Sequence, residues 1–300
     1  MLTLTSVTPR KYITAVISLA FIFGTISSQS PSSASFRSEG SSPTLTPAVK
    51  ACIKKVLSPA DFAIVLVNPE KLAVKAKAKA FACYQTQGKF KNGKIATTGN
   101  WIMANPVDLI HVTAISAFRS CSGHDYSGSN ISNQPESDRS MKHYVLTDVP
   151  LENTGSVKGY APFDGVVSVE SEQFPLGKQI QITSLKFGWI FVFFHGDPLV
   201  ANGATVKVGQ SVIAWPPANA LTLKGNLSTA GSSFDIALKS IDGRYESPLL
   251  HMSPSIAATW AAKGFTATAA IISKTQRDAT PCNGAYNDQL PGTGWIAASK

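Results

Sequence analysis

This chain of 300 residues contains four cysteines, and their number and spacing limit which metal sites and disulfides it can form. Cys52, Cys83, Cys121 and Cys282 all follow an apolar N-terminal stretch. Their spacings match none of the paired patterns that hold structural zinc, so a cysteine–metal site is not expected. An even number of cysteines in an exported chain predicts two disulfides, although four cysteines allow three connectivities.

Export is predicted by the first residues. Arg10 and Lys11 precede an uncharged apolar stretch over residues 12–26, and small residues continue to Ala34. We interpret residues 1–34 as a signal peptide and the Ser- and Pro-rich residues 35–48 as a tether. An uncleaved anchor is the alternative, although the stretch is short for a span of ~20 residues. We therefore expect a secreted or periplasmic protein with no stable membrane span after cleavage.

The formal charge of +9, from 27 basic and 18 acidic residues, is concentrated in one region. Residues 49–94 contain ten lysines and two acids, a net +8. We predict a lysine-rich helical region over residues 49–110, with Lys71, Lys75 and Lys79 on one helix face. Within it, residues 62–67 are apolar and predict a buried strand or a core helix turn. The lysines are either a solvated face or a docking face for an anionic surface polymer; nucleic acid is not expected, because no recognised nucleic-acid motif is present.

The second half of the chain has the composition of a β-domain. Short runs rich in Val, Ile and Phe alternate with turns that carry Gly, Pro and Asp. This spacing, with no helical period between the runs, predicts a sandwich or a barrel. The predicted strands are residues 165–169, 179–183, 189–194, 205–208, 211–215 and 234–238.

The order of the turns in this half carries a resemblance to a known family. The passages are AFRSCSGHDYSG (117–128), SMKHYVLTD (140–148), GYAPFDGVVSVES (159–171), VFFHGDPL (192–199), VANGATVKVGQSVI (200–213) and SSFDIALKSIDGRYESPLLHM (232–252). In that order they resemble motifs of the lysostaphin/LytM-type zinc metallopeptidases. The resemblance covers residues 118–252, under half of the chain. It implies a mainly β fold, a LytM-like sandwich or barrel (duplicated hybrid motif) over residues 111–252, with residues 253–300 as a C-terminal extension.

The resemblance also implies a zinc site. In the family, zinc is held by a His, by an Asp four residues later and by the second His of H-x-H. His143 matches the first ligand, and Asp148 stands one residue beyond the Asp position, which is occupied by Thr147. Asp235 replaces the second His of H-x-H. The resemblance thus implies zinc bound by His143, Asp148 and Asp235, a weaker donor set for zinc because one imidazole has become a carboxylate.

The histidines that act in catalysis in the family are only partly retained. His195 matches the His of the Y-x-H motif and is the implied catalytic residue, whereas Ser233 replaces the first His of H-x-H. The implied site therefore lacks one imidazole base. His124 is either a substituted ligand or a loop histidine without a metal role.

Three functions remain open. The first is an exported LytM-like protein, a divergent peptidase or a degenerate one, that acts on or binds cell-wall or extracellular peptide polymers. The second is a non-catalytic module that binds a cell-surface polymer, polysaccharide included, through the β-groove and the lysine-rich region. The third is a biotinyl/lipoyl-type carrier, which needs a lysine in a tight hairpin, but the sole Met-Lys pair, Met141-Lys142, precedes the run of strands. Residues 253–300 predict a helix or added edge strands, and Cys282 is expected to tie the tail back.

Overall fold

The computed structural model describes residues 45–91, 95–172, 177–223, 233–286 and 293–299. The predicted signal peptide and most of the predicted tether lie outside the described residues. No helix in the described part of the chain has the length and apolar character needed to cross a membrane.

Three helices open the described chain: α1 (Pro47–Val56), α2 (Pro59–Val67) and α3 (Val74–Gln85). The first two begin in the same way, with a hydroxyl N-cap followed by proline. Proline suits this position because the first-turn N–H groups have no helical partner. A disulfide between Cys52 and Cys83 joins α1 to α3. The expected helical region is confirmed as far as Gln85, and residues 62–67 are helical, but no side chain of α2 is buried.

The described residues form thirteen strands, and every predicted strand overlaps one of them, although the strand predicted over residues 205–208 ends at Val206. They are β1 (Val112–Ser116), β2 (Gly128–Asn130), β3 (Pro135–Glu136), β4 (His143–Thr147), β5 (Val157–Tyr160), β6 (Gly165–Glu172), β7 (Lys178–Ser184), β8 (Trp189–Pro198), β9 (Thr205–Val206), β10 (Ser211–Trp215), β11 (Ser233–Ser240), β12 (Arg244–Glu246) and β13 (Trp295–Ala297). The mainly β fold with a small helical region is confirmed.

The sheet order is β13-β1-β4-β11-β8-β7-β6-β9, with β10 joining β5 to β8 and β12 joining β11 to β2. Strand β11 therefore lies between β4 and β8. Its residues alternate between the two sides of the sheet, as the period of a strand requires. Phe234 and Ile236 point into the main core, where Trp215 stacks on Phe234 at 3.8 Å between ring centroids.

The opposite side of the sheet, here called the helix-facing side, carries Ile190, Val192, Phe194 and Ala237. These side chains pack with α1 and α3 in a second apolar cluster. The helical region thus covers part of one side of the sheet.

The C-terminal extension contains both kinds of element that were expected as alternatives. Helices α4 (Pro254–Ala262), α5 (Ala267–Ala270) and α6 (Lys274–Ala279) precede β13, which pairs with β1. The Cys121–Cys282 disulfide ties this tail to the β-domain. Among the three connectivities left open, the structure has Cys52–Cys83 and Cys121–Cys282.

Candidate functional site

The centre of the helix-facing side is a buried ion pair. Lys142 precedes β4, and its side chain is 1% exposed. Its ammonium donates to the Oδ2 atom of Asp235, whose side chain is 3% exposed. The same ammonium lies 3.1 Å from Nε2 of His124. Because Nδ1 of His124 is 2.8 Å from the Asp125 carbonyl and must donate to it, Nε2 accepts from the lysine.

Three aromatic rings enclose this ammonium. Their centroids lie 4.9 Å (Tyr126), 4.6 Å (Tyr144) and 4.8 Å (Phe194) from Nζ of Lys142. Ring faces attract a cation, and the attraction is stronger where water is excluded. Burial raises the pKa of Tyr126 well above its usual value, and the nearby Tyr245 raises it further, so its hydroxyl stays neutral. Lys142 is thus a cation held by one carboxylate, one imidazole and three rings.

Strand register explains why these residues meet. Asp235 pairs directly with Tyr144 across β11 and β4, so the two side chains share the helix-facing side. Lys142 lies two residues before Tyr144 and therefore points the same way. The loop that carries His124 approaches closely: a Cβ on Gly123, which has a φ of +68°, would stand 1.9 Å from the Tyr144 hydroxyl. Only glycine suits that position.

His195 lies beside the ion pair. Its Nε2 atom is 3.7 Å from Oδ1 of Asp235, and its side chain is 25% exposed. Its backbone is left-handed, with a φ of +60° in β8. Gly177 packs against this backbone so closely that a Cβ would stand 2.5 Å from the His195 carbonyl carbon. The implied catalytic residue is therefore next to Asp235 and reaches the surface.

His143, the first implied zinc ligand, lies on the core-facing side of the sheet. It pairs with Ile236 rather than with Asp235. Its Nδ1 donates to the Ser116 carbonyl at 2.8 Å, and its Nε2 accepts from the Ser247 hydroxyl at 2.8 Å. Burial lowers its pKa from 6.5 to about 4, so the ring is neutral at pH 7. Both ring nitrogens are already used in hydrogen bonds.

Asp148, the second implied ligand, follows the end of β4 and lies near the surface. Its Oδ1 atom is 3.0 Å from Nδ1 of His111, and its side chain is 57% exposed. The structure therefore does not bring His143, Asp148 and Asp235 together. It brings Asp235 together with His195 and with two residues outside the implied set, Lys142 and His124.

The residues of the site do not suit a zinc ion. Zinc needs at least three protein donors with free lone pairs, and no group of three His, Cys, Asp or Glu side chains among the described residues has the spacing to hold a metal. The Oδ2 atom of Asp235 and the Nε2 lone pair of His124 already accept from Lys142. A zinc ion about 4 Å from this ammonium would be repelled by about 8 kcal/mol at an effective dielectric of ~20. We therefore derive no step through a metal.

Lys142 is the residue that the sequence interpretation missed as a site residue. The signal was present in the passage SMKHYVLTD (140–148), which resembles the family motif M-H-x-G-x-D. If Met141 is set on the methionine of that motif, Lys142 takes the place of the histidine and Leu146 that of the aspartate. The alternative that set His143 on the histidine shifts the register by one residue, and a shift of one residue moves a strand side chain to the other side of the sheet.

A buried charge network anchors the loop that carries His124. The Glu136 carboxylate, with a side chain 0% exposed, binds Arg119 at 2.6 and 2.9 Å and Arg139 at 3.0 Å. Burial raises the pKa of Glu136, but the hydrogen bond and charge of Arg119 outweigh it, so the pKa lies below its usual value. The disulfide from Cys121 to Cys282 fixes the same loop.

No protein-family model matches the chain, and no curated protein matches it. Solved structures do. A zinc-containing peptidase from Vibrio cholerae is 18% identical with a TM-score of 0.33, over 50% of this chain and 39% of that chain. The M23 metalloprotease pseudoalterin from the deep sea is 19% identical with a TM-score of 0.30, over 50% of this chain and 74% of that one. Lysostaphin is 16% identical with a TM-score of 0.26, over 60% of this chain and 63% of the lysostaphin chain.

The chain thus spans well under half the length of the Vibrio peptidase. The chain resembles the lysostaphin/LytM-type (M23) peptidases.

Proposed function

We propose that this chain is an exported, non-hydrolytic LytM-like module that binds a cell-wall or extracellular peptide polymer. The observation that carries the proposal is the ammonium of Lys142, which engages Asp235 and His124 at the centre of the site. A metallopeptidase needs those donors for a metal that acidifies water and polarises the peptide carbonyl. Here the donors neutralise a side chain of the protein itself.

The loss of an imidazole supports the same proposal. Ser233 stands where the family has the first His of H-x-H, and a serine hydroxyl is no general base near neutral pH. His195 remains, but it faces Asp235. The residues left at the site form ion pairs and hydrogen bonds, which suit binding better than hydrolysis.

Polar side chains on the helix-facing side offer contacts to a peptide. The side-chain amides of Gln179 and Gln181 both donate to the carboxylate of Glu170 on the neighbouring strand. The distance from Nε2 of Gln179 to Oε2 of Glu170 is 3.1 Å, and Glu170 is exposed. A carboxylate accepts from peptide N–H groups, and a side-chain amide accepts from N–H groups and donates to C=O groups. We propose that Glu170, Gln179 and His195 contact the bound polymer.

The two disulfides support export. Disulfides persist in oxidising compartments and are rare in the cytosol, and each of the four cysteines is paired. The predicted signal peptide points the same way, but its residues lie outside the described part of the chain.

The test uses the oxidised chain without its predicted leader. It is incubated with Zn²⁺ and with cross-linked or glycine-rich peptides, and retention on isolated cell walls is measured in parallel. We expect retention without peptide cleavage, and weaker retention for Glu170→Ala and His195→Ala. Lys207→Ala, which breaks an exposed ion pair with Asp164, is the control and should bind like the parent. Cleavage that depends on added zinc would refute the non-hydrolytic part, and absence of retention would refute the binding part.

A second candidate function, binding of an anionic surface polymer, is favoured by one cavity. A space of about 390 Å³ lies between α3 and the turn before β12, and Lys75, Lys79 and Arg244 line it. Asp242, the acid in this lining, is bound by Arg244 at 2.9 Å. Retention on cell walls that is lost at high salt and in Lys75→Glu would support this candidate, because exposed charges are screened by salt. Retention that is independent of salt would contradict it.

A further inference from the structure

Helix α2 is an apolar helix on the surface of the protein. Seven of its nine residues are Ala, Phe, Ile, Leu or Val, yet none of the nine is buried. The exposed positions Ala60, Ala63, Leu66 and Val67 recur at the spacing of one helix face. Val67 is 87% exposed and Leu66 is 46% exposed. A surface helix ordinarily turns polar residues outward. In α2, Phe62 and Val65 pack against the second apolar cluster, and the outward side is apolar as well.

Positive charge flanks this apolar face at both ends. Lys54 and Lys55 close α1 just before α2, and Lys71 follows α2 by four residues; all three are exposed. The two acids nearby are already engaged, since Asp61 accepts from the Ser58 hydroxyl at 2.8 Å and Glu70 pairs with Lys77 at 3.3 Å. The segment from Lys54 to Lys71 therefore combines the exposed aliphatic side chains of α2 with three exposed lysines.

We propose that α2, with Lys54, Lys55 and Lys71, docks on an anionic lipid surface. Aliphatic side chains gain by entering the boundary between headgroups and acyl chains, and lysines gain from the negative surface potential of anionic lipids. A polyanionic glycan satisfies the lysines alone and leaves Leu66 and Val67 in water. The pairing of the two side-chain types at one place is what favours lipid over a soluble polyanion.

The docking surface is attached to the rest of the described chain by packing: Phe62 and Val65 of α2 lie against the second apolar cluster. Helix α1 packs on the helix-facing side of the sheet through Val49 and Ile53, and the Cys52–Cys83 disulfide ties it to α3. Docking through α2 thus fixes the orientation of the whole chain at the lipid surface. It uses no residue of the ion-pair site, so it stands or fails independently of the proposed polymer binding.

The experiment is co-sedimentation with vesicles, using the oxidised chain without its predicted leader, which retains every described residue. Vesicles of phosphatidylcholine with 30% phosphatidylglycerol are compared with pure phosphatidylcholine. We expect binding to the anionic vesicles only, weaker by roughly fivefold in each of Lys54→Ala and Lys55→Ala. Val67→Asp should weaken binding at least tenfold. Ile110→Ser is the matched control, because Ile110 is 76% exposed and belongs to none of the helices α1, α2 and α3, and it should bind like the parent.

Several results would overturn the proposal. They are the absence of binding to anionic vesicles at low salt, equal binding to both vesicle types, and binding that Val67→Asp leaves unchanged. Binding to a soluble polyanion such as poly-glutamate with the same affinity as to anionic vesicles, unchanged by Val67→Asp, would show that the lysines bind a polymer instead of lipid. A dimer in solution that Val67→Asp dissociates would assign α2 to a contact between two copies.

Discussion

Replacement of Lys142 by methionine tests whether the ammonium holds the site together. Methionine keeps most of the apolar length of the side chain but removes the charge. The Asp235 carboxylate, 3% exposed, then loses its cation while it remains buried. Loss of one partner from a buried ion pair costs about 3–5 kcal/mol of folding free energy. We expect Lys142→Met to lower the free energy of unfolding by about 4 kcal/mol, with lost attraction to the three rings included.

The second variant removes the carboxylate as well. In Lys142→Met/Asp235→Asn neither side chain is charged, so no uncompensated charge is buried. Replacement of a whole buried pair by neutral groups is often close to neutral in stability. We expect the double variant to lie within about 1.5 kcal/mol of the parent, which means that the two single effects are strongly non-additive.

Lys207→Met is the matched control for the loss of a lysine. Lys207 pairs with Asp164 at 2.8 Å, a normal ion-pair distance, but its side chain is 78% exposed. Exposed pairs contribute about 0–1 kcal/mol because water and salt screen them. We expect this variant to change the free energy of unfolding by less than about 0.5 kcal/mol.

The assay is equilibrium unfolding in urea with both disulfides intact, followed by tryptophan fluorescence. The slope of the free energy of unfolding against urea concentration must be the same in all variants, so that a shift of the unfolding midpoint reports a change in stability. A cost below about 1 kcal/mol for Lys142→Met, or additive single effects in the double variant, would refute the assignment of Lys142 as the cation of the site.

Three further predictions concern other parts of the fold. The pKa of His143 is about 4 in the folded protein and 6.5 in the unfolded chain, so its contribution to the free energy of unfolding is fully present above pH 6.5 and falls by up to about 3 kcal/mol as the pH drops towards 4. We expect His143→Gln to flatten this pH dependence, measured by urea unfolding at several pH values, and an unchanged pH dependence would contradict it. Glu136→Gln should lower the free energy of unfolding by about 3 kcal/mol, because Arg119 loses a buried partner; a loss below 1 kcal/mol would count against the network. Cys52→Ser/Cys83→Ser should speed hydrogen exchange in α1 and α3 but not in the sheet, and uniform exchange would oppose this.

Much of the fold was predictable because its signals are local. The alternation of apolar residues with Gly, Pro and Asp turns predicts the strands, and Ser58-Pro59 predicts the start of α2. The disulfide pairing was not predictable, because three connectivities are equally compatible with four cysteines. The exposure of α2 was missed for a related reason: an apolar run indicates burial, and only the packing of the neighbouring elements decides whether cover exists.

The site was only partly predictable, and one residue of register explains why. Lys142 and His143 are adjacent, so one points to each side of the sheet, and the sequence does not state which one faces Asp235. The resemblance favours the histidine, because histidine binds zinc. The structure places the lysine there, and its second partner, His124, comes from a loop whose path depends on Gly123 and on the Cys121–Cys282 disulfide.

The zinc content of the purified protein distinguishes a site occupied by the Lys142 ammonium from a site that holds a metal. The oxidised chain without its predicted leader is incubated with excess Zn²⁺, desalted, and analysed for metal by mass spectrometry. We expect far less than one zinc per chain, with no difference between the parent and Asp235→Asn, because Lys142 already neutralises this carboxylate. One zinc per chain in the parent and none in Asp235→Asn would contradict this expectation and would show that Asp235 binds a metal.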